Sequence, residues 1–170
     1  MMSAPACTIR FGRPDDLSTI FRLIQGLAEY ERLSHAVVGT EALLREHLFG
    51  ERPFAEVLLA EVDGRAVGFA LFFHNYSTFL TRPGVYLEDL FVLPDERGRG
   101  YGKALLAGLA RLAFERGCGR LEWSVLNWNE PSIQFYRALG AVPMDEWTVN
   151  RITGEALERL AQQGPPVVSE

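Results

Sequence analysis

The segment Arg97-Gly98-Arg99-Gly100-Tyr101-Gly102, with Lys103 directly after it, sets three glycines at alternate positions among cationic side chains. Where a strand ends and a helix begins, such a turn points unpaired backbone N–H groups outward and the helix dipole adds positive potential, which suits a phosphate group. Glycine leaves no Cβ between anion and amides, and Arg97, Arg99 and Lys103 carry charge that complements a pyrophosphate or a 3′-phosphate. The plainer reading of the same residues is a glycine-rich connection with solvated arginines. Counting disfavours two common cofactor loops. A Walker-type triphosphate loop ending on Gly102-Lys103 needs glycine at Arg97 and Ser or Thr at Ala104. A dinucleotide fingerprint starting at Gly98 needs glycine at Lys103 and belongs on the first strand of a parallel unit. Just upstream, Glu88 and Asp89 are adjacent acids in the otherwise apolar run from Val85 to Val92, where carboxylates need a partner or a task.

Periodicity predicts the elements that hold these residues. Thr8–Phe11 reads as a first strand. Arg13-Pro14-Asp15-Asp16 then starts a helix whose Leu17, Ile20, Phe21, Ile24, Leu27 and Ala28 fall at helical spacing. Thr40 is the expected N-cap of a short second helix through about Phe49, with Leu43, Leu44 and Leu48 as its stripe. Glu56–Val62 and Ala66–Phe73 are β-prone, and Asp63-Gly64 between them forms a hairpin turn because both positions accept positive φ. After a polar loop from about Asn75 to Gly84, Val85–Val92 reads as a central strand stopped by Pro94. Strict alternation there puts Glu88 and Leu90 on one face and Asp89 on the other. Past the glycine turn, Leu105, Leu106, Leu109, Leu112 and Ala113 keep helical period up to Gly117, and Arg120–Leu126 is a further strand. Asn129-Glu130-Pro131 opens a helix carrying Ile133, Phe135, Tyr136 and Leu139, which Gly140 ends. Trp147–Val149 is expected as a last strand, and Thr153 as the cap of a short terminal helix. The expected class is α/β, an α+β mixed sheet with helices on both faces, in one domain over 7–163 with flexible ends at 1–6 and 164–170.

With 170 residues, 48% of them hydrophobic and 23% charged, the chain suits one well-cored domain. A net charge of -5 without a basic block gives no support for nucleic-acid or anionic-membrane binding and fits a cationic or neutral small partner better. Cys7 and Cys118 stand far apart with no third ligand nearby, which argues against a metal centre or a disulfide framework. There is no basic-then-apolar leader and no apolar run near the roughly 20 residues of a membrane span, so a soluble cytoplasmic protein is expected.

Val92-Leu93-Pro94 followed by Arg97-Gly98-Arg99-Gly100-Tyr101-Gly102 resembles the Arg/Gln-x-x-Gly-x-Gly/Ala acetyl-CoA motif of the GNAT superfamily of N-acetyltransferases. Tyr86-Leu87-Glu88-Asp89, Trp128-Asn129-Glu130-Pro131-Ser132 with Phe135-Tyr136 and Gly140, and Leu27-Ala28-Glu29-Tyr30-Glu31 are similar to the spermidine/spermine branch, which includes thialysine acetyltransferases. The resemblance runs from about Ile9 to Trp147. It implies a mostly antiparallel central sheet of six to seven strands, acetyl-CoA as co-substrate without a metal, and a homodimer. It places the pantetheine arm on the main chain of Leu90, Phe91 and Val92, with Asn129, Glu130, Pro131 and Ser132 on its other side. The pyrophosphate goes to Gly98, Arg99, Gly100, Tyr101, Gly102 and Lys103, beside Arg97.

Acetyl transfer from a thioester to an amine needs a neutral amine, a polarised carbonyl and a proton for the departing thiolate. A primary amine with a pKa of roughly 10.4 is mostly ammonium at neutral pH, so a carboxylate must help to deprotonate it, and Glu88 is the candidate, directly or through water. The resemblance makes Tyr136 the proton donor, in contact with the cofactor, and assigns carbonyl polarisation to a backbone N–H near Phe91 or Val92 where the strand splays. It lines the amine pocket with Tyr30, Glu31, Glu88, Asp89, Glu122, Trp123 and Ser124, with Asp145 or Glu146 in reach, a carboxylate set that suits a diamine or polyamine. Plainer roles stand beside these: an arginine partner for Glu88, core packing for Phe135 and Tyr136, and a simple helix cap for Asn129. Tyr76 to Gly84 carries Phe79 and Leu80 without the tryptophan that polyamine enzymes often have there, which leaves a thialysine-like amine equally open. The alternatives are a GNAT enzyme acting on a protein lysine or N-terminus, and a non-catalytic acyl-CoA sensor.

Overall fold

The computed structural model describes residues 7–168, so the expected flexible segment 1–6 and the final two residues lie outside the described residues. The chain divides into two compact units after Ser124. In the first, β1 (Thr8–Phe11) leads into α1 (Leu17–Tyr30) and α2 (Glu41–Phe49), then β2 (Glu56–Val62), β3 (Arg65–Ser77), β4 (Arg82–Val92), α3 (Tyr101–Glu115) and β5 (Leu121–Trp123). The strands lie in the order β1-β2-β3-β4-β5. The first three pairings are antiparallel and β4 pairs with β5 in parallel, which gives the expected mixed sheet.

Local chemistry accounts for the boundaries. Thr40 Oγ1 accepts the Leu43 N–H at 3.3 Å and starts α2, and the Asp63-Gly64 turn takes φ of 50° and 75° between β2 and β3. The expected polar loop is shorter than its composition suggests: β3 continues to Ser77 and β4 begins at Arg82, because the paired backbones of Asn75 and Gly84 extend the ladder. Apolar side chains leave the sheet on both faces. Phe69 and Phe91, a cross-strand pair, pack with Val57 and Leu59 beneath Ile20, Leu23 and Leu27 of α1 and Leu48 of α2. On the other face Gly108 of α3 comes close to Ile9 and Leu58, and Leu105 and Leu109 are fully buried. Burial of each large apolar side chain contributes about 1.5–3 kcal/mol, so these two layers hold β4 rigidly from both sides.

β4 carries the irregularity that matters. Leu71 pairs with Asp89 but Phe72 with Leu87, so Glu88 is an extra residue opposite no partner, a β-bulge. The strict alternation expected along this strand is broken there. Leu87 lies on the α3 face with Phe72, whereas Asp89 and Phe91 turn to the α1 face with Leu71 and Phe69.

The second unit contains α4 (Glu130–Ala138) and α5 (Gly154–Gln163) joined by irregular chain. Trp147–Val149, expected as a strand, is not one: the Trp147 N–H turns back to Met144 O at 3.1 Å, and no strand among the described residues pairs with it to supply the ladder that three residues require. The expected strand Arg120–Leu126 shortens to Leu121–Trp123. The described sheet therefore has five strands where six or seven were expected.

Candidate active site

The glycine turn expected to hold an anion lies where β4 passes into α3. A 3-10 turn at Pro94–Glu96 is followed by Arg97 and by Gly98 and Gly100 at φ of 76° and 85°, in the left-handed region that favours glycine. Gly100 caps α3, whose first bond runs from Ala104 N to Gly100 O at 2.9 Å, so the N–H groups of the helix's first turn have no partner further back in it. A Cβ built on either glycine meets nothing within 4 Å, so the space above the turn is open to an anion. Lys103 is exposed beside it, and Tyr101 is buried with its hydroxyl unpartnered among the described residues.

The two arginines of the turn are already engaged. Arg97 lays its guanidinium over the Tyr30 ring at 4.5 Å and near the Phe91 ring at 5.4 Å, while its Nε donates to Val92 O at 3.0 Å. That clamp joins the end of α1 to the end of β4. Arg99 donates to Glu96 Oε2 at 2.9 Å, and Arg65 Nη2 takes the other oxygen of the same carboxylate. Sequence reasoning missed Glu96. Its one local signal was an acid set between Pro94 and a run of arginines, and only tertiary structure supplies Arg65 from 31 residues upstream.

Upstream of the turn, β5 covers only Val85–Leu87 of the β4 edge, leaving Glu88–Val92 without a strand partner on that side among the described residues. The Leu93 N–H donates to Val67 O at 2.9 Å, toward β3, so in the alternation of a strand the N–H and C=O of Val92 point to the open edge, and Leu90 follows by the two-residue period. The open edge, the bulge and the glycine turn thus succeed one another in a short stretch of chain.

Four of the residues expected around the amine gather here. Asp89, set inward by the bulge, has its carboxyl pushed up to about 6, by burial first and then by the negative charges of Glu88 and Glu31. Burial also raises Glu31, at the end of α1. Glu88 itself is exposed, and Tyr30 lies under Arg97. In β5, Glu122 and Trp123 pair with Tyr86 and Leu87, one step from Glu88, and Ser124 Oγ lies 2.9 Å from the Tyr86 hydroxyl. Glu122 already has partners, Arg120 at 2.6 Å and Asn75 Nδ2 at 2.9 Å, so much of its charge is neutralised within the sheet.

In the second unit, Asn129 O accepts the Ile133 N–H at 3.0 Å and Pro131 sits in the first turn of α4. The Asn129 side chain makes no capping bond and is 6% exposed, unlike the simple cap that composition suggests. Glu130 accepts from Gln134 at 3.1 Å and Ser132 is half-buried. Tyr136 is half-buried too, its ring 5.3 Å from that of Phe135. Asp145 and Glu146 are exposed on irregular chain.

Comparison with known proteins gives a consistent result. The model of the acetyltransferase (GNAT) family matches residues 22–141. A thialysine N-epsilon-acetyltransferase of Bos taurus is 40% identical over 164 residues, covering 90% of this chain and 96% of the relative. An L-ornithine N5-acetyltransferase of Arabidopsis thaliana is 34% identical over 197 residues, covering 89% and 86%. Among solved structures, an integron cassette protein from the mobile metagenome of V. cholerae superimposes with a TM-score of 0.78 at 26% identity, covering 94% of this chain and 99% of that one.

Proposed function

As this chain belongs to the acetyltransferase (GNAT) family, we propose that it transfers the acetyl group of acetyl-CoA to a primary amine of a small cationic substrate, by direct attack in a ternary complex. The observation that carries this reading is the left-handed Gly98–Gly100 cradle opening α3, directly after a strand that holds an acid pair at its bulge. The cradle fits the pyrophosphate because the amides face open space and no Cβ intrudes. The pantetheine arm is assigned to the edge of Leu90 to Val92, where the N–H of Val92 would polarise the thioester carbonyl; that of Phe91, the other residue expected for this role, turns toward β3.

On this reading Glu88 assists deprotonation of the ammonium group, while Asp89 and Glu31 add the negative potential that draws a cation in. Tyr136 supplies the proton that the departing thiolate takes up, and Asn129 to Ser132 hold the cofactor arm, roles carried over from the family resemblance. Thialysine and ornithine, named for the two relatives, are both amino acids with a terminal side-chain amine. Their chemistry favours a diamino acid over a longer polyamine, and the acids gathered at the bulge suit either.

Release of free thiol, followed across thialysine, ornithine, lysine, short diamines, spermidine and a histone-like peptide, tests the proposal. Turnover of the small diamines or diamino acids is expected. Turnover of the peptide alone would assign a protein substrate, and CoA binding without turnover of any amine would leave a sensor. Tyr136→Phe is expected to lower kcat by about 100-fold or more while the Kd for acetyl-CoA stays put, and an unchanged rate would remove Tyr136 from the mechanism.

A further inference from the structure

We propose that Glu96 is a positioning residue for the acetyl-CoA turn: its buried carboxylate fixes Arg99 in place, and Arg65 offsets that carboxylate so that the turn keeps a net positive charge. The inference rests on the acetyl-CoA reading of the turn given above. Glu96 is only 9% exposed, and its N–H is tied to Leu93 O at 2.9 Å, so both its backbone and its side chain are held at the foot of the turn. The guanidiniums it joins are exposed, 63% for the Arg65 side chain and 53% for that of Arg99. A carboxylate inside two solvent-facing cations inverts the usual surface pair, since the acid is the desolvated member and needs both partners.

The charges of the trio then sum to a net positive. Arg99 alone with Glu96 would be neutral as seen by an approaching phosphate, and Arg65 restores the excess. Arg99 uses Nη1 on Glu96, which leaves most of its N–H donors for another anion. Arg97, on the other side of Gly98, is turned onto Tyr30 and Phe91. The two arginines therefore anchor the turn at opposite ends, and Arg99 is the one left facing solvent beside the open amides. Arg65 stands at the start of β3, outside the turn, yet through Glu96 it sets the potential there.

The test uses the full chain, calorimetric binding of CoA, and steady-state turnover of acetyl-CoA against acetyl-pantetheine, which lacks the phosphates. Arg65→Ala is expected to weaken CoA binding about 5- to 10-fold and flatten the dependence of Kd on salt, with kcat at saturation and the KM for the amine unchanged. Arg65→Lys should restore the Kd to within about twofold, because the charge returns. Glu96→Gln is expected to raise the KM for acetyl-CoA while kcat/KM for acetyl-pantetheine holds. Equal losses with both donors would reduce the trio to a general structural role, and an unaltered Kd in Arg65→Ala would overturn the proposal outright. Wild-type chain that binds no CoA would instead sink the acetyl-CoA reading itself, and this inference with it.

Discussion

Asp89 holds a carboxyl group that the fold makes harder to ionise. Its value of about 6 lies above the ordinary aspartate value of roughly 3.9, so between those two the native state binds more proton than the unfolded chain. The contribution to stability is therefore fully present below about pH 4, falls as pH rises toward 6 by roughly 1.4 kcal/mol for each pH step of one, and is lost above that window. Asp89→Asn should stabilise the protein by about 2 kcal/mol at neutral pH relative to its effect near pH ~4, a difference visible in urea unfolding at the two values. Equal effects at both would mean that the burial acts on packing instead of on charge. Glu88 is the companion test. If it takes the proton, Glu88→Gln moves the rising limb of the kcat/KM profile up toward the pKa of the amine. A limb that moves down instead would identify Asp89 as the acceptor, because losing the Glu88 charge relieves Asp89.

At the scale of elements, the β4–α3 junction rests on glycines in the left-handed region. Gly100 holds a φ of 85° with open space where a Cβ would go, so Gly100→Ala costs only backbone strain, about 1–2 kcal/mol. A lower melting temperature together with a weaker Kd for CoA is expected, and a lowered melting temperature at constant Kd would separate the turn from the cofactor. This junction was legible because glycine spacing and the stop at Pro94 are local signals. The bulge was not. Val85, Leu87 and Phe91 are apolar at odd positions and read as one continuous face that includes Asp89, yet the first two face α3 and the last faces α1. Only pairing with Leu71 and Phe72 inserts Glu88 as the extra residue, and no pattern within β4 records its neighbour's register.

At the scale of the whole molecule, a net charge of -5 gives a field that attracts cations over several ångströms and is screened at physiological salt. The KM for a doubly charged amine should therefore rise several-fold from low to high ionic strength, while that for a singly charged amine changes less; parallel responses would show that the acid group near the bulge is not the attractor. No helix among the described residues is long and apolar enough to cross a membrane.

The sequence by itself determined the helices, the hairpin, the central strand and the left-handed glycine turn, because caps, glycines, prolines and period are properties of adjacent residues. It also carried the family, through motifs whose spacing is rigid. Tertiary structure alone decided how far Asp89 is desolvated, that Glu122 is engaged by Arg120 and Asn75, that Arg97 turns onto Tyr30, and that Arg65 reaches Glu96. Each of those facts joins residues distant in the chain or sets how far one is desolvated, where the energy depends on which partner the fold brings near and how much water it removes, and neither quantity is written in local order.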